Sequence, residues 1–139
     1  MNTLRVAIAT DDGETVARSH MGDAASFVVY DISSGGLRDR IDIRDNAVRG
    51  MGHAGSGKMA AVARILDDVD VFVAGRMSPN FKRLAARFQP VVVGAAEIDT
   101  ALEWLVRSFD RLEAMVSARR RGDAPRTVLR LPDAGASMS

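Results

Sequence analysis

With 139 residues and 19 basic against 18 acidic side chains, the chain has the size of one ordinary domain and no global field that attracts nucleic acid or anionic lipid. The absence of cysteine excludes disulfides, a thiol nucleophile and an iron–sulfur cluster held by protein thiolates. No apolar run approaches the roughly 20 residues of a membrane helix and the start lacks a signal-peptide pattern, so we expect a cytoplasmic protein with neither a membrane nor a nucleic-acid partner.

The first part of the sequence predicts three strands. Leu4–Thr10, "LRVAIAT", is a run of small and β-branched residues that is typical of a strand buried on both faces. Ser26–Ser33 predicts a second strand. The turn signal "SSGG" and the alternating "RDRIDIRD" that follow it predict a hairpin with a half-exposed third strand.

The remainder predicts helices that alternate with strands. Ser56 is placed to cap a first helix, Val69–Gly75 is a short buried strand, and Ser78 caps a second helix. The segment "PVVVG" predicts a fifth strand, and the apolar stripe from Ile98 to Val116 predicts one long final helix.

This order predicts an α/β fold with a mixed five-stranded sheet and three helices. Right-handed crossovers and the hairpin together give the strand order 3-2-1-4-5, which resembles the three-layer ribonuclease H-like architecture. We expect one domain over residues 1–118. Residues 119–139, which are basic and rich in Gly, Pro and Ser, are expected to form a flexible tail.

The predicted topology brings three polar loops to one edge of the sheet. The loops after strands one, three and four all leave from this edge, and open α/β sheets bind ligands in such carboxyl-end crevices. Both histidines of the chain fall in these loops. The residues expected at this rim are His20, Met21, Arg49, Met51, His53, Arg76 and Met77.

The stretch "GMGHAGSGKM", from Gly50 to Met59, has the glycine and lysine spacing of a phosphate-binding P-loop. Met59 stands where a P-loop needs a hydroxyl for magnesium, and the preceding strand is amphipathic and separated from the loop by several residues. We therefore exclude nucleotide hydrolysis from the favoured functions and keep anion binding by Lys58 and the amides at the start of the helix.

A nuclease of the ribonuclease H type is the other enzymatic alternative. It requires carboxylates in the middle of the sheet that hold two metal ions. The first strand carries none, and Asp11 and Asp12 lie beyond its end in a segment that also reads as a turn. We therefore do not expect an enzyme.

The segments "RVAIATDDGETVARSHMGDAASFVVYDI", "DDVDVFVAG" and "FKRLAARFQPVVV" resemble the dinitrogenase iron–molybdenum cofactor biosynthesis family, the NifX/NafY-like domains. The resemblance covers roughly Arg5 to Leu105. The histidine and glycine of the family's first loop fall on His20 and Gly22, with Met21 where the family usually has an aromatic residue. At "AGRMSPN" the chain departs from a more glycine-rich turn.

The resemblance implies a non-catalytic ribonuclease H-like domain that binds, stores or delivers a preassembled metal–sulfur cluster, as in nitrogenase cofactor assembly. The cluster would be of the Fe–S, Mo–Fe–S or Mo–Cu–S type, and the partner a cluster donor or acceptor protein. A cluster that brings its own sulfides needs from the protein only imidazole, thioether and amide contacts and positive charge.

We expect His20 and His53 to be metal ligands. Met21 and Met51 would suit Cu(I), and the arginines would balance an anionic cluster. The expected cluster-binding residues are His20, Met21, Gly22, Arg49, Met51, His53, Gly55 and Arg76. The alternative is a cluster-free regulatory or protein-interaction domain of the same fold that acts through the final helix and basic tail.

Overall fold

The computed structural model describes residues 3–18, 24–46, 56–76, 88–94, 97–123 and 128–132. The strands are β1 (Leu4–Thr10), β2 (Ser26–Ile32), β3 (Arg38–Asp45), β4 (Val71–Ala74), β5 (Gln89–Val93) and β6 (Leu129–Leu131). The helices are α1 (Ser56–Ile65), α2 (Ile98–Arg107) and α3 (Phe109–Arg120).

The strands form one mixed sheet in the order β3-β2-β1-β4-β5-β6. β2 is antiparallel to β1 and to β3, whereas β4, β5 and β6 continue parallel to β1. The predicted order of the first five strands is confirmed. The predicted total of five strands is wrong, because β6 adds a sixth strand beside β5.

β6 comes from the segment that the sequence predicted to be a flexible tail. Its alternation of buried Leu129, exposed Arg130 and buried Leu131 has the period of two that a half-buried strand shows. The backbone N–H of Gly94 donates to the carbonyl of Leu131 at 2.8 Å, which extends the contact with β5 beyond the ladder. The predicted tail boundary also falls inside α3, which ends at Arg120.

The predicted long final helix is two helices that meet at Ser108. The Ser108 N–H donates to the carbonyl of Trp104 at 3.0 Å and to that of Leu105 at 3.2 Å, a tightened turn that ends α2. The Ser108 carbonyl accepts the N–H of Leu112 at 2.9 Å, so α3 begins at once. The predicted helix that starts at Ser78 lies outside the described residues, which resume at Phe88.

Two apolar layers cover the two faces of the sheet. α2 and α3 pack on one face, where Val6 and Ile8 of β1 are fully buried. On the other face, which α1 covers, β1 presents the small Ala7 and Ala9. The rings of Phe27 and Phe72 meet there edge to face, with centroids 5.6 Å apart. The prediction that β1 is buried on both faces is confirmed.

Asp68, in the turn after α1, forms ion pairs that connect this turn with β1 and β3. Its carboxylate accepts hydrogen bonds from the guanidinium of Arg44 in β3 at 2.6 Å and from that of Arg5 in β1 at 2.8 Å. Arg5 also binds Asp31 of β2 at 2.9 Å. The hydrogen bonds from Arg44 and from Arg5 hold the pKa of Asp68 well below its usual range.

Asp68→Asn should therefore lower the free energy of unfolding at pH 7. The Asp68 side chain is 39% exposed, so solvent screening limits the loss to about 1 kcal/mol. Because the folded pKa is depressed, the stabilisation is present above the unfolded pKa of about 3.9 and is lost as the pH falls through the folded value. Urea unfolding from pH 7 to pH 2 should show the two proteins converging in stability.

Asp67→Asn is the matched control for this experiment. Asp67 is the exposed neighbour of Asp68 in the same turn after α1. Its exchange should change the free energy of unfolding by less than about 0.5 kcal/mol at every pH. A gap between wild type and Asp68→Asn that stays constant down to pH 2 would contradict the role given to this carboxylate.

Candidate functional site

The carboxyl ends of five strands share one edge of the sheet. β1, β3, β4, β5 and β6 all run in the same direction, and β2 starts from the edge where they end. The segments that follow Thr10, Asp45 and Ala74 therefore leave from one rim, as the sequence predicted. These segments contain all the expected cluster-binding residues.

The expected site residues divide between the described and the other parts of the chain. Arg76 is described and lies exposed on this rim, two residues after the end of β4. The remaining seven lie outside the described residues: His20, Met21, Gly22, Arg49, Met51, His53 and Gly55. The described geometry of the rim is therefore that of the loop roots, the residues at which each loop leaves or rejoins the sheet.

Asn46 joins the roots of the two loops that carry the histidines. It follows β3 directly and is only 5% exposed. Its side-chain Nδ2 donates to the carbonyl of Ala24 at 2.8 Å, and its backbone N–H donates to the carbonyl of Ala25 at 3.0 Å. The chain that leaves toward His53 and the chain that returns from His20 are thus fixed side by side.

A second junction joins the first loop to the end of β4. The Ala17 N–H donates to the carbonyl of Ala9 at 2.8 Å, which folds the segment after β1 back over the sheet. A Cβ built on Gly75 would lie 2.8 Å from the Ala17 carbonyl oxygen. Glycine at this position therefore allows the chain to pass so close, and Arg76 is held next to the root of the first loop.

The two aspartates after β1 accept hydrogen bonds from backbone amides. The Asp12 carboxylate accepts the N–H groups of Glu14 at 2.9 Å and of Thr15 at 2.7 Å. These two hydrogen bonds, of which the one from Glu14 has the larger effect, lower the pKa of Asp12 to about 2. The Asp11 carboxylate accepts a hydrogen bond from the N–H of Ala25, directly before β2, at 2.9 Å. Asp12 thus holds the turn after β1, whereas Asp11 connects the end of β1 with the residue before β2.

Sequence reasoning missed the hydrogen bond from Asn46 to Ala24 in this site. It also missed the hydrogen bond that Asp11 accepts from Ala25. The residue types carried a weak signal, since Asn and Asp at strand ends often bond nearby backbone groups. Their partners, however, are 22 and 14 residues away in the chain, so no local pattern could identify them.

The part of the chain that the structure describes was examined for groups of side chains that could hold a metal ion. Within residues 3–18, 24–46, 56–76, 88–94, 97–123 and 128–132, no three His, Cys, Asp or Glu side chains are grouped to hold a metal ion. None of the described helices has the length and apolar character needed to cross a membrane.

Comparison with known proteins agrees with the resemblance found in the sequence. A family model described as dinitrogenase iron–molybdenum cofactor matches residues 2–108. The solved structure of a candidate dinitrogenase from Methanocaldococcus jannaschii has a TM-score of 0.57 and 13% sequence identity, and the match covers 78% of this chain and 92% of that one, which supports the fold alone. No significant match is found among curated proteins. Because the family match spans well over half of its residues, the chain belongs to the dinitrogenase iron–molybdenum cofactor family.

Proposed function

We propose that this protein binds, stores or delivers a preassembled metal–sulfur cluster at the rim of its sheet. Membership of the dinitrogenase iron–molybdenum cofactor family supports a cofactor-associated role. The observation that carries the proposal is the Asn46–Ala24 hydrogen bond, which fixes side by side the roots of the two loops that contain the chain's two histidines.

The side chains of these loops suit a cluster that arrives complete. Such a cluster supplies its own bridging sulfides, so the absence of cysteine does not prevent binding. In this proposal His20 and His53 ligate metal through imidazole nitrogen. Met21 or Met51 would add a thioether for a soft metal such as Cu(I). The cluster is of the Fe–S, Mo–Fe–S or Mo–Cu–S type.

Positive charge and backbone amides would hold the anionic sulfides. Arg76 is exposed on the rim. The proposal assigns hydrogen bonds to the sulfides to Arg76 and to Arg49, which follows β3 in the sequence. In the proposal Gly22 and Gly55 contribute backbone amides, because glycine has no side chain of its own beside its N–H. A ligand set without thiolates holds a cluster less firmly, which suits transfer from a donor protein or to an acceptor protein, and the proposal assigns no reaction to the chain.

The double substitution His20→Ala with His53→Ala should reduce cluster retention at least tenfold. Two imidazole ligands are lost while the roots of the loops keep their hydrogen bonds. The protein is purified anaerobically and then supplied with each cluster type. Iron, molybdenum, copper and acid-labile sulfide are quantified beside the visible absorption spectrum, and far-UV circular dichroism checks the fold.

Arg76→Ala and Arg64→Ala form a matched pair of single substitutions in the same assay. Arg64 is exposed on α1, away from the rim, and its loss should leave retention unchanged. Arg76→Ala should weaken retention a few-fold through lost charge. Full retention by the double histidine variant would refute the assigned ligands. A wild-type protein that is metal-free and refuses all three cluster types would instead favour the cluster-free interaction domain.

A further inference from the structure

The side chain of Asp11 connects the end of β1 with the residue before β2, beyond the last backbone pair of these strands. In their ladder Thr10 pairs with Ser26, and the same register continued by one residue sets Asp11 opposite Ala25. The Asp11 carboxylate accepts a hydrogen bond from the N–H of Ala25 at 2.9 Å. Because β1 ends at Thr10, this connection depends on the side chain of Asp11.

Ala25 is bound at both of its backbone groups. Asp11 holds its N–H from the end of β1, and the N–H of Asn46 donates to its carbonyl at 3.0 Å from the end of β3. The carbonyl of Ala24, a fully buried residue, accepts a hydrogen bond from the side-chain Nδ2 of Asn46 at 2.8 Å. Ala24 and Ala25 thus make three hydrogen bonds with loop roots, and Asp11 provides the one that comes from the root of the first loop itself.

Asp11 and its neighbour Asp12 act over different distances in the chain. Asp12 accepts the N–H groups of Glu14 and Thr15, which belong to its own turn. The partner of Asp11 lies 14 residues away, on the far side of the segment that contains His20. The hydrogen bond of Asp11 therefore closes the first loop, because it connects the residue at which the loop leaves the sheet with the residue at which the loop rejoins it.

The segment that contains His20 is also fixed on its other side. The Ala17 N–H donates to the carbonyl of Ala9 at 2.8 Å, so the outgoing part of the first loop is bound to the end of β1. The backbone is therefore held both before and after His20, at Ala17 and at Ala25. Fixed ends reduce the number of conformations that a loop can adopt, and a site whose loops are fixed in advance loses less entropy when a ligand binds.

The charge of Asp11 does not suit an anionic ligand, whereas its carboxylate oxygen suits the amide. Asp11 is exposed on the rim, where its negative charge repels the anionic cluster of the proposed function. A charged oxygen is also a stronger acceptor for an amide N–H than a neutral oxygen is. The presence of an acid at this position is thus explained by its hydrogen bond with Ala25, and a contact with the cluster does not explain it.

We propose that Asp11 is a positioning residue of the rim, whose carboxylate closes the first loop and so holds His20 near the loop after β3 that contains His53. Asp11 acts through Ala25 and does not touch the cluster. The importance of this closure for cluster binding rests on the function proposed above. The closure itself belongs to the cluster-free protein and can be measured without the cluster.

A disulfide between the two histidine positions measures the closure. The chain has no cysteine, so His20→Cys combined with His53→Cys introduces a single pair of thiols. In dilute, metal-free protein, the rate at which oxidised glutathione converts this pair to its disulfide increases with the frequency at which the two loops meet. Asp11→Ala in this background should lower the rate about threefold or more, because the Ala25 N–H loses its acceptor.

Asp11→Asn and Glu14→Ala separate the hydrogen bond from the charge. Asparagine has the shape of aspartate and keeps an oxygen acceptor for the Ala25 N–H, so Asp11→Asn should retain the disulfide rate of the parent pair. Glu14 is an exposed acid of the same loop that binds Ile98 through its backbone carbonyl, so Glu14→Ala should also leave the rate unchanged. In the chain with both histidines, Asp11→Ala should retain less cluster than wild type, and Asp11→Asn at least as much.

Equal disulfide rates with and without Asp11→Ala overturn the proposal, and so does a parent pair that forms no disulfide. An Asp11→Asn variant that is as slow as Asp11→Ala also overturns it, since that variant keeps the acceptor. Far-UV circular dichroism checks that each variant is folded. If the disulfide rates follow the expectation while the wild-type protein takes up none of the three cluster types, the proposed function fails and the positioning role of Asp11 stands.

Discussion

Gly75→Ala should lower the free energy of unfolding by about 2 kcal/mol, although it adds a single methyl group. The new Cβ would lie 2.8 Å from the backbone carbonyl oxygen of Ala17 and 3.5 Å from Cγ1 of Val16. A backbone atom cannot swing away as the end of a flexible side chain can. The cost is therefore that of overpacking, about 1–3 kcal/mol. Guanidinium chloride unfolding at low protein concentration measures this loss of stability.

Gly94→Ala is the matched control, since Gly94 also follows a buried strand on the same rim. Its new Cβ would lie 3.7 Å from the carbonyl oxygen of Leu131, which is an ordinary contact. Alanine restricts the unfolded chain, so this variant should be as stable as wild type or up to about 1 kcal/mol more stable. If Gly75→Ala gained stability in the same way, the close approach of Ala17 would not be a constraint on this fold.

The strands that the sequence predicted well are those whose pattern is local. The alternation "RDRIDIRD" gives β3 its limits at Arg38 and Asp45, and the unbroken apolar run gives β1 its limits at Leu4 and Thr10. Such patterns report which face of the strand is buried, and burial decides secondary structure over a few residues. Strand order followed from chirality rules that hold across α/β folds.

β6 and the break at Ser108 could not be predicted in the same way. Three residues such as Leu129–Leu131 form a strand only because the edge of β5 is available beside them, 36 or more residues earlier in the chain. The apolar stripe of the last helices continues from Leu105 to Phe109, so hydrophobic periodicity gave no sign of the turn between them.

The rim was predicted from strand direction, and its internal junctions were not. "VFVAG" and "PVVVG" read alike, yet Gly75 is constrained by a distant carbonyl and Gly94 is not. Asn46 follows a strand as many turn residues do, and its partner Ala24 is known only once β2 and β3 are paired. Contacts between distant backbone groups are the part of a site that residue types alone cannot specify.

Asn46→Ala should lower the free energy of unfolding by about 2 kcal/mol and weaken the rim. The Ala24 carbonyl is buried and loses the Nδ2–H donor that now lies at 2.8 Å. An acceptor left unsatisfied in the interior costs about 1–3 kcal/mol. Hydrogen exchange should show faster opening at Ala25 and Asn46, where the roots of the two histidine loops meet, and slow exchange retained at the centre of β1.

Asn46→Asp separates the lost donor from an added charge, because the two side chains have the same shape. At pH 7 it should cost about 3 kcal/mol or more, since a carboxylate replaces the donor beside the Ala24 carbonyl at a position only 5% exposed. Burial raises the pKa of the new carboxyl above its unfolded value of about 3.9. The protonated acid can donate to the carbonyl, so stability relative to Asn46→Ala is greatest below that unfolded value and is lost as the pH rises through the folded one. Equal stabilities of the two variants from pH 3 to pH 8 would contradict a buried donor at this junction.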